Sequence, residues 1–151
     1  MGTTEYIAGG YELLDLVAPL WRELMSHHSK CSKHFKKHFE TASFDGRKKG
    51  LAKKKALRVE YAKAGNANIG YCITSVSADG TGEIESLFIS AQFRRNGVAT
   101  ALMQHAIAWL DQQQVGHRII GVAVGNEAAL PFYAKFGFLP RSLILQHTPL
   151  L

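Results

Sequence analysis

The hydrophobic period of this chain changes near residue 57, and the change restricts the folds that it can adopt. Upstream, apolar residues recur every three or four positions from Leu13 to Leu24, as in an amphipathic helix. Downstream lie three segments typical of strands, "LRVEYAKAG", "NIGYCITSVSADG" and "GEIESLFIS". Turn residues separate them at positions 65–66 and 79–80. The pattern predicts three successive strands.

In the third strand, side chains are expected to alternate between the two faces of the sheet, because the strand period is two residues. We expect Ile84 and Phe88 on one face. The opposite face is expected to carry Glu83, Glu85, Leu87 and Ile89. Two glutamates would then project from the same side of this strand.

The remaining segments complete an alternating order of strands and helices. A strand is expected at Glu5–Ala8, and after the three strands we expect a helix starting near Gly97, a strand "HRIIGVAV", a helix "NEAALPFYAKFG" and a final strand "FLPRSLILQ". Asn126 is the expected N-cap of that second helix. Gly46 and Gly50 are expected to break the basic segment before the first of the three strands. This order predicts an α/β (α+β) fold, a mixed sheet with helices on its faces.

Length and composition indicate one domain spanning residues 1–151. The chain is 46% hydrophobic and 20% charged, which is typical of a folded domain, and no linker or repeat divides it. No apolar run reaches the roughly 18 residues that span a bilayer, and the first residues lack the pattern of a signal peptide, so we expect a cytoplasmic protein without a membrane partner. Cys31 and Cys72 are too few and too far apart for a disulfide framework.

The net charge of +6 indicates an anionic partner, which could be nucleic acid, a membrane or a phosphorylated small molecule. A basic run offers one site for nucleic acid, and it comprises Arg47, Lys48, Lys49, Lys53, Lys54, Lys55 and Arg58. No aromatic residues alternate with these cations, so the pattern favours a solvated surface over a base-stacking one. A nucleic-acid-binding module stays open as the second hypothesis.

The segment "AQFRRNGV" connects the end of a strand to the start of a helix. Helix amino termini carry unpaired N–H groups and the positive end of the helix dipole. Gly97 allows close approach of a ligand to the backbone, and Arg94 and Arg95 add mobile charge. The segment predicts a phosphate or diphosphate site, with a solvated surface turn as the alternative. It lacks the glycine pattern of dinucleotide sites and the lysine of a P-loop.

Three stretches of the sequence resemble the GNAT superfamily of N-acetyltransferases. Arg94-x-x-Gly97-x-Ala99 matches the superfamily signature [Q/R]-x-x-G-x-[G/A]. "GEIESLFIS" resembles the central strand that precedes this signature, and "VAVGNEAALPFYAKFGF" resembles the strand and helix that follow it. The resemblance covers about residues 69–138. It implies a mostly antiparallel sheet whose central strands splay apart.

The resemblance also implies a site for acetyl-CoA as co-substrate. The diphosphate would be bound by Arg94, Arg95, Asn96, Gly97, Val98, Ala99 and Thr100, mainly through backbone amides. The pantetheine arm would pair with the strand edge at Leu87, Phe88 and Ile89 and would accept a hydrogen bond from Asn126. Tyr133, which matches the superfamily's helix tyrosine, would contact the sulfur and protonate the departing thiolate; the alternative is an aromatic ring that only packs.

Acetyl transfer to an amine needs a proton acceptor and an oxyanion donor. Glu83, Glu85 or a water molecule is the expected base, and the N–H of Phe88 or Ile89 is the expected oxyanion donor. No metal is expected, although Cys31, His34 and His38 have suitable spacing for zinc, because a structural zinc site needs four ligands. A polar helix surface is the simpler interpretation of these three residues.

The acceptor is not encoded in a recognisable motif. His27 and His28 follow the first amphipathic helix and, with Trp21, are candidate substrate contacts; a surface cap of that helix is the alternative. A polycationic acceptor would require acidic residues at the site's mouth, for which the candidates are Glu12, Asp15, Glu83 and Glu85. Small amines, peptide or lysine amines and another acyl donor stay open, as do a non-catalytic acyl-CoA sensor and a homodimer.

Overall fold

The computed structural model describes residues 3–148 and contains five strands and five α-helices. The strands are β1 (Thr4–Gly9), β2 (Ala56–Ala64), β3 (Ala67–Val76), β4 (Gly82–Ile89) and β5 (Arg118–Ile120). The α-helices are α1 (Leu14–Cys31), α2 (Lys36–Glu40), α3 (Phe44–Leu51), α4 (Val98–Gln112) and α5 (Leu130–Ala134). Short 3₁₀ turns occupy Tyr11–Leu13, Ala91–Phe93 and Glu127–Ala129.

The strands form one sheet in the order β1-β2-β3-β4-β5. Each of the first three neighbouring pairs is antiparallel, and only β4 and β5 run parallel. The connection between these two is α4, as expected for a parallel pair, which needs a long crossover. The expected fold class, a mixed and mostly antiparallel sheet flanked by helices, is confirmed. None of the helices within residues 3–148 is long and apolar enough to cross a bilayer.

The two faces of the sheet are covered by different helices. On one face α1 and α3 pack on a core that includes Val17, Trp21, Leu51, Val59 and Ile73. On the other face α4 packs on a second core that includes Ile69, Cys72, Leu102, Met103 and Leu110. Most of these side chains are less than a tenth exposed, so the sheet is buried on both sides. Burial of apolar surface is the main stabilising contribution of both cores.

A β-bulge in β4 changes the expected alternation of its side chains. Thr74 pairs with Ile84 but Ile73 pairs with Ser86, which leaves Glu85 as an additional residue on β4. As a result Ile84 lies in the α4 core, whereas Phe88 lies in the α1 core. The expectation that both share a face was wrong, because a regular period cannot reveal a bulge. Leu87 and Ile89 likewise lie on the α4 side, away from the two glutamates.

Three further sequence expectations were wrong. Gly46 and Gly50 lie inside α3, which is capped by Ser43, whose Oγ accepts a hydrogen bond from the N–H of Gly46 at 3.1 Å. The strand expected from "HRIIGVAV" is only three residues long. Residues 138–146, expected as a final strand, lie in no helix or strand, and the side chains of Leu143, Ile144 and Leu145 are mostly exposed. Gly137, with φ of 85°, ends the turn that follows α5.

Candidate active site

Strands β4 and β5 separate after only three paired residues. Gly82–Ile84 pairs with Arg118–Ile120, and beyond Ile84 no ladder joins the two strands. The N–H of Ser90 donates to the carbonyl of Ile69 on β3 at 2.9 Å. Because peptide groups alternate in direction along a strand, the N–H groups of Leu87 and Ile89 point into the gap and that of Phe88 points toward β3. The gap therefore presents free backbone donors.

The amino terminus of α4 forms a concave group of N–H donors. Its N-cap is Gly97, with φ of 80°, and no side chain caps it. The first backbone bond of this turn runs from the N–H of Ala101 to the carbonyl of Gly97, so the N–H groups of residues 98–100 lack a partner within the helix. Arg95 also has a positive φ, 65°. No atom beyond its chain neighbours lies within 4 Å of the position a Cβ would take at Gly97, so an anion can approach the backbone.

The side chain of Arg94 fixes this loop to the strand. Its Nε donates to the carbonyl of Ile89 at 2.9 Å, and its guanidinium carbon lies 5.4 Å from the centroid of the Phe88 ring. The Arg94 side chain therefore holds the loop against the end of β4, instead of providing the mobile charge expected from the sequence. Arg95 is exposed.

A cavity of about 470 Å³ opens at the same gap. Its wall includes Glu85, Ser86 and Leu87 of β4, the chain that continues β5, and parts of α1, α2 and α3. Asn126 and Tyr133, from the segment after β5, line the same cavity. Three stretches that lie far apart in the sequence therefore meet at one site.

Tyr133 lines this cavity, and its ring packs against a neighbouring aromatic side chain. The ring centroid lies 5.5 Å from that of Phe132, and burial raises the pKa of Tyr133 to about 12, with a smaller contribution from Cys72. The hydroxyl consequently stays protonated at neutral pH. Asn126 is at the N-cap position of the short 3₁₀ turn, as expected, but its side chain makes no capping hydrogen bond. Its Oδ1 instead lies 3.4 Å from Nε2 of His27.

The two glutamates of β4 differ in their environments. Burial by itself raises the pKa of Glu85, but the Ser75 hydroxyl at 2.6 Å, Arg47 and Lys54 outweigh it, and the net pKa is lowered. Burial and the neighbouring Glu85 raise the pKa of Glu83. Glu85 lines the cavity, whereas Glu83 lies next to Ser75 and Ile119 and is not part of the cavity wall.

The three candidate substrate contacts also lie at different places. Trp21 is almost buried, packs against Phe44 at 5.2 Å between ring centroids and lines the cavity. His28 lines the cavity too, and burial, with a smaller effect of His27, lowers its pKa. His27 is not part of the cavity wall and instead contacts Asn126 and Cys31.

A sequence model of the acetyltransferase (GNAT) family matches residues 20–138. The chain belongs to the GNAT family. The enzyme class expected from the sequence, N-acetyltransferase, is thereby confirmed at the level of the family. The match extends the resemblance in the sequence toward the amino terminus, and it includes every strand except β1.

Three proteins represent the relatives of this GNAT chain. An uncharacterised N-acetyltransferase of Methanocaldococcus jannaschii is 31% identical over 74 residues, which are 48% of this chain and 32% of that protein. A GCN5-related N-acetyltransferase from Ralstonia eutropha JMP134 superposes with a TM-score of 0.73 at 15% identity, over 97% of this chain and 99% of that one. The aminoglycoside N-acetyltransferase AAC(6')-Iy, solved with CoA, has a TM-score of 0.68 at 15% identity, over 99% and 97%. The two structures share the fold.

Basic residues of the run between 47 and 58 do not form one free surface in this GNAT chain. Arg47 and Lys54 bind Glu85, Lys48 binds Asp15 at 2.8 Å, and Arg58 lies 3.3 Å from Glu60. More than half of the run is therefore paired with carboxylates. This distribution weakens the nucleic-acid hypothesis, because paired cations release fewer counterions on binding a phosphate backbone.

The three residues considered as zinc ligands lie on different elements of the chain. Cys31 is a free, exposed cysteine whose sulfur lies 3.8 Å from His27, and His38 lies on α2 at the cavity. Among residues 3–148, no three side chains of histidine, cysteine, aspartate or glutamate come together in a metal-binding group. Cys31 is the last residue of α1 and His38 lies on α2, whereas His34 lies between these helices, so the expected polar helix surface does not describe all three residues.

Sequence reasoning missed several residues of this site. Arg47 was expected only as part of the basic run, and Ser86, Met25 and Phe39 were not considered, although all four line the cavity. Tyr71 was also missed; its hydroxyl lies 2.6 Å from Oγ of Ser86. No local motif marks these residues, because their position depends on how α1, α2 and α3 fold over the sheet. The one local feature of the sequence that marked this site was a serine, Ser86, beside the apolar residues at the end of β4.

Proposed function

We propose that this GNAT chain is an acetyl-CoA-dependent N-acetyltransferase that acts as one domain and transfers an acetyl group to a primary amine. The observation that supports this proposal is the meeting of two features, the donor group before α4 and the gap between β4 and β5. The first fits a diphosphate and the second fits an extended arm with amide groups. AAC(6')-Iy, which shares the fold, was solved with CoA.

The residues present fit acetyl-CoA at both ends. The N–H groups of residues 95–100 would bind the diphosphate, with Arg95 adding exposed charge and Gly97 leaving room for close approach. Backbone groups of Leu87 and Ile89, which face the gap, would pair with the pantetheine arm as a neighbouring strand would. Asn126 would add a side-chain hydrogen bond from the opposite wall.

The bound co-substrate supplies a thioester, so that the amine nitrogen forms a C–N bond, the C–S bond breaks, and the amide and the free thiol are released. The N–H of Leu87, which faces the gap at the cavity, would stabilise negative charge on the carbonyl oxygen, while the Leu87 carbonyl and the Ile89 N–H would pair with the arm. The N–H of Phe88, also expected for this role, points toward β3. Tyr133 would donate its hydroxyl proton to the departing sulfur. Its high pKa keeps that proton available.

The proton of the attacking amine would pass to Glu83, to Glu85 or to a water molecule. Glu85 is a poor base, because Arg47, Lys54 and Ser75 stabilise its ionised form. Glu83 has a raised pKa and is a better base, but it lies outside the cavity wall and would act through water. A relay of water from the amine toward Glu83 therefore fits the geometry best.

A thermal-shift series tests co-substrate binding. Acetyl-CoA and CoA should raise the melting temperature more than ATP or NAD does, because only the former fill both the donor group and the gap. Equal shifts with all of these ligands would indicate a general anion site. Release of free thiol on mixing acetyl-CoA with amines would then establish catalysis and exclude the non-catalytic sensor.

DNA and RNA titrations test the alternative of a nucleic-acid-binding module. Binding should be weak at physiological salt and should change only gradually as salt rises, because few cations of the basic run are free to release counterions. Tight retention that depends on sequence would favour the alternative.

We also propose that the protein is a homodimer in which the carboxyl-terminal segment of each copy pairs with β5 of the other. Strand β5 is at the edge of the sheet and has no outer neighbour among residues 3–148. Leu139, Leu143, Ile144 and Leu145 are between 69% and 90% exposed, so this segment packs on little of its own chain. Exposed apolar segments and free strand edges favour β-strand addition. A second copy offers both partners at once, as a two-fold interface requires.

A further inference from the structure

The part of the cavity wall that comes from the helices is largely apolar and aromatic. Trp21, Leu24 and Met25 of α1 contribute to it together with Phe39 of α2. The helix side of the wall also carries two histidines, His28 and His38. Such a surface favours an apolar or flat body over a highly hydrated one, because burying polar groups without partners costs free energy.

Within residues 3–148, the cavity offers no free carboxylate to a second ammonium group. Glu85 is the one carboxylate that this part of the chain contributes to the wall, and Arg47 and Lys54 lie 3.0 and 3.2 Å from its oxygens. The other acidic residues that were expected at the cavity mouth either form contacts with other groups or lie outside the cavity wall. Glu12 accepts from the N–H of Gly10 at 2.9 Å, Asp15 binds Lys48, and Glu83 lies outside the wall.

The adjoining cavity of about 710 Å³ shares the same aromatic wall and is electrically balanced. Its charged residues are Arg22, Lys30, Glu40 and Asp45, two of each sign. A long polycation that extended into this second cavity would therefore meet as many cations as carboxylates. Each additional ammonium group would lose hydration without gaining a net opposite charge.

His28 is the polar group on the helix side that lacks a partner. Within residues 3–148, its Nδ1 is the buried side-chain nitrogen or oxygen that has no hydrogen-bond partner. Its ring packs on that of Phe39, with 5.1 Å between centroids. Buried polar atoms without partners are rare, so this one needs an explanation. Burial and His27 lower the pKa of His28, so a neutral ring lines the cavity and would not repel an amine that binds beside it.

We propose that the acceptor is a primary monoamine carried on an apolar or aromatic body, with the amine near His28 and the body against Trp21, Met25 and Phe39. This inference rests on the proposed acetyltransferase function and names its substrate class. An apolar cavity lowers the pKa of a bound amine, because it disfavours the charged form. The neutral amine that attack requires is then populated without a strong base at its side.

The test compares four acceptors in a thiol-release assay at pH 7.5: phenethylamine, hexylamine, spermidine and kanamycin. Phenethylamine or hexylamine should have a kcat/KM at least about tenfold higher than those of spermidine and kanamycin. A higher kcat/KM for either polycation would overturn the inference while leaving the proposed function intact. Binding of acetyl-CoA, measured by calorimetry, with no acetylation of either monoamine would also overturn it. Absence of both binding and acetylation would instead remove the proposed function.

A charge-introducing variant provides a second test. His38→Glu would place a carboxylate in the cavity wall, and it should raise kcat/KM for spermidine about tenfold relative to phenethylamine. His34→Glu is the matched control, because His34 is exposed and lies outside the cavity wall. If His34→Glu changed the preference as much as His38→Glu did, overall charge and not the cavity would set specificity, and the inference would be wrong.

A third variant tests the place of the amine. His28→Phe should raise KM for phenethylamine several-fold with little change in acetyl-CoA affinity, and His28→Asn, which keeps a side-chain acceptor, should restore part of the loss. An unchanged KM in His28→Phe would show that the amine binds elsewhere. Circular dichroism of both variants would verify that α1 is intact.

Discussion

Nη2 of Arg47 lies 3.0 Å from Oε1 of Glu85 and 3.1 Å from the Glu85 backbone carbonyl. The Arg47 guanidinium thus connects α3 to Glu85, the residue that forms the bulge in β4. The carbonyl of a bulged residue is left without a ladder partner, and Arg47 satisfies it. This contact holds α3, which helps to line the proposed acceptor cavity, at a fixed distance from the strand that would bind the co-substrate.

Glu85→Gln should destabilise the protein by about 1–3 kcal/mol at pH 7, because Arg47 and Lys54 would lose their counter-charge in a partly buried place. The melting temperature should fall by roughly 3–8 °C. Glu85 has a folded-state pKa below its unfolded value, so its stabilising contribution is present above the unfolded pKa of about 4.3 and is lost as pH falls through the folded pKa. The difference between the wild type and the variant should therefore shrink in acid.

Asp15→Asn is the matched control for that variant. Asp15 is mostly exposed and pairs with Lys48, also on α3, so its loss should leave the melting temperature nearly unchanged. Calorimetric scans of both variants between pH 3 and pH 8 provide the measurement. A difference between Glu85→Gln and wild type that stayed constant across this range would show that the carboxylate charge is not what stabilises the site.

Tyr133→Phe should lower kcat by about 10- to 100-fold and leave the Kd of acetyl-CoA within about twofold, because only the proton donor is removed. Since the pKa of Tyr133 is about 12, its titration should not lower the wild-type rate between pH 8 and pH 10. Steady-state kinetics and calorimetry separate the two effects. Tyr61→Phe, in the α1 core, is the control. Normal turnover with lost affinity would identify Tyr133 as a binding or packing residue.

Patterns that act over short distances were visible in the sequence. The order of strands and helices, the turn at Gly97 and the family resemblance depend on residues close together in the chain, and the structure and the family match confirm the fold class. The loop before α4 could be proposed as a diphosphate site because glycine and helix-start patterns are local.

Features that depend on long-range packing were not visible. The bulge at Glu85 shifts the later part of β4 by one residue, and nothing in "GEIESLFIS" distinguishes a bulged from a regular strand. Arg47 lies 38 positions from Glu85, so its pairing follows only from how α3 packs on the sheet. The carboxyl-terminal segment has the composition of a strand but finds no partner strand within residues 3–148. Composition indicates a tendency to form a strand, while pairing needs an available edge.

Gly97→Ala should destabilise the protein by about 1–2 kcal/mol and weaken acetyl-CoA binding, because a residue with a Cβ is strained at φ of 80° even where space is open. Gly50→Ala is the matched control. Gly50 lies inside α3 without a positive φ and also faces open space, so alanine there should stabilise by up to about 1 kcal/mol. Denaturant unfolding and calorimetric titration measure both. Unchanged acetyl-CoA affinity in Gly97→Ala would argue against the donor group as the diphosphate site.

The double variant Leu143→Asp, Leu145→Asp should convert the proposed dimer to a monomer. These two residues lie two positions apart and would share one face of an added strand, so charges there oppose burial against the partner. Sedimentation at micromolar to hundred-micromolar protein gives the mass of each species. Leu16→Asp, at an exposed position on α1, should leave the mass unchanged. A wild-type monomer at every concentration, or a dimer that survives the double variant, would contradict pairing through the carboxyl-terminal segment.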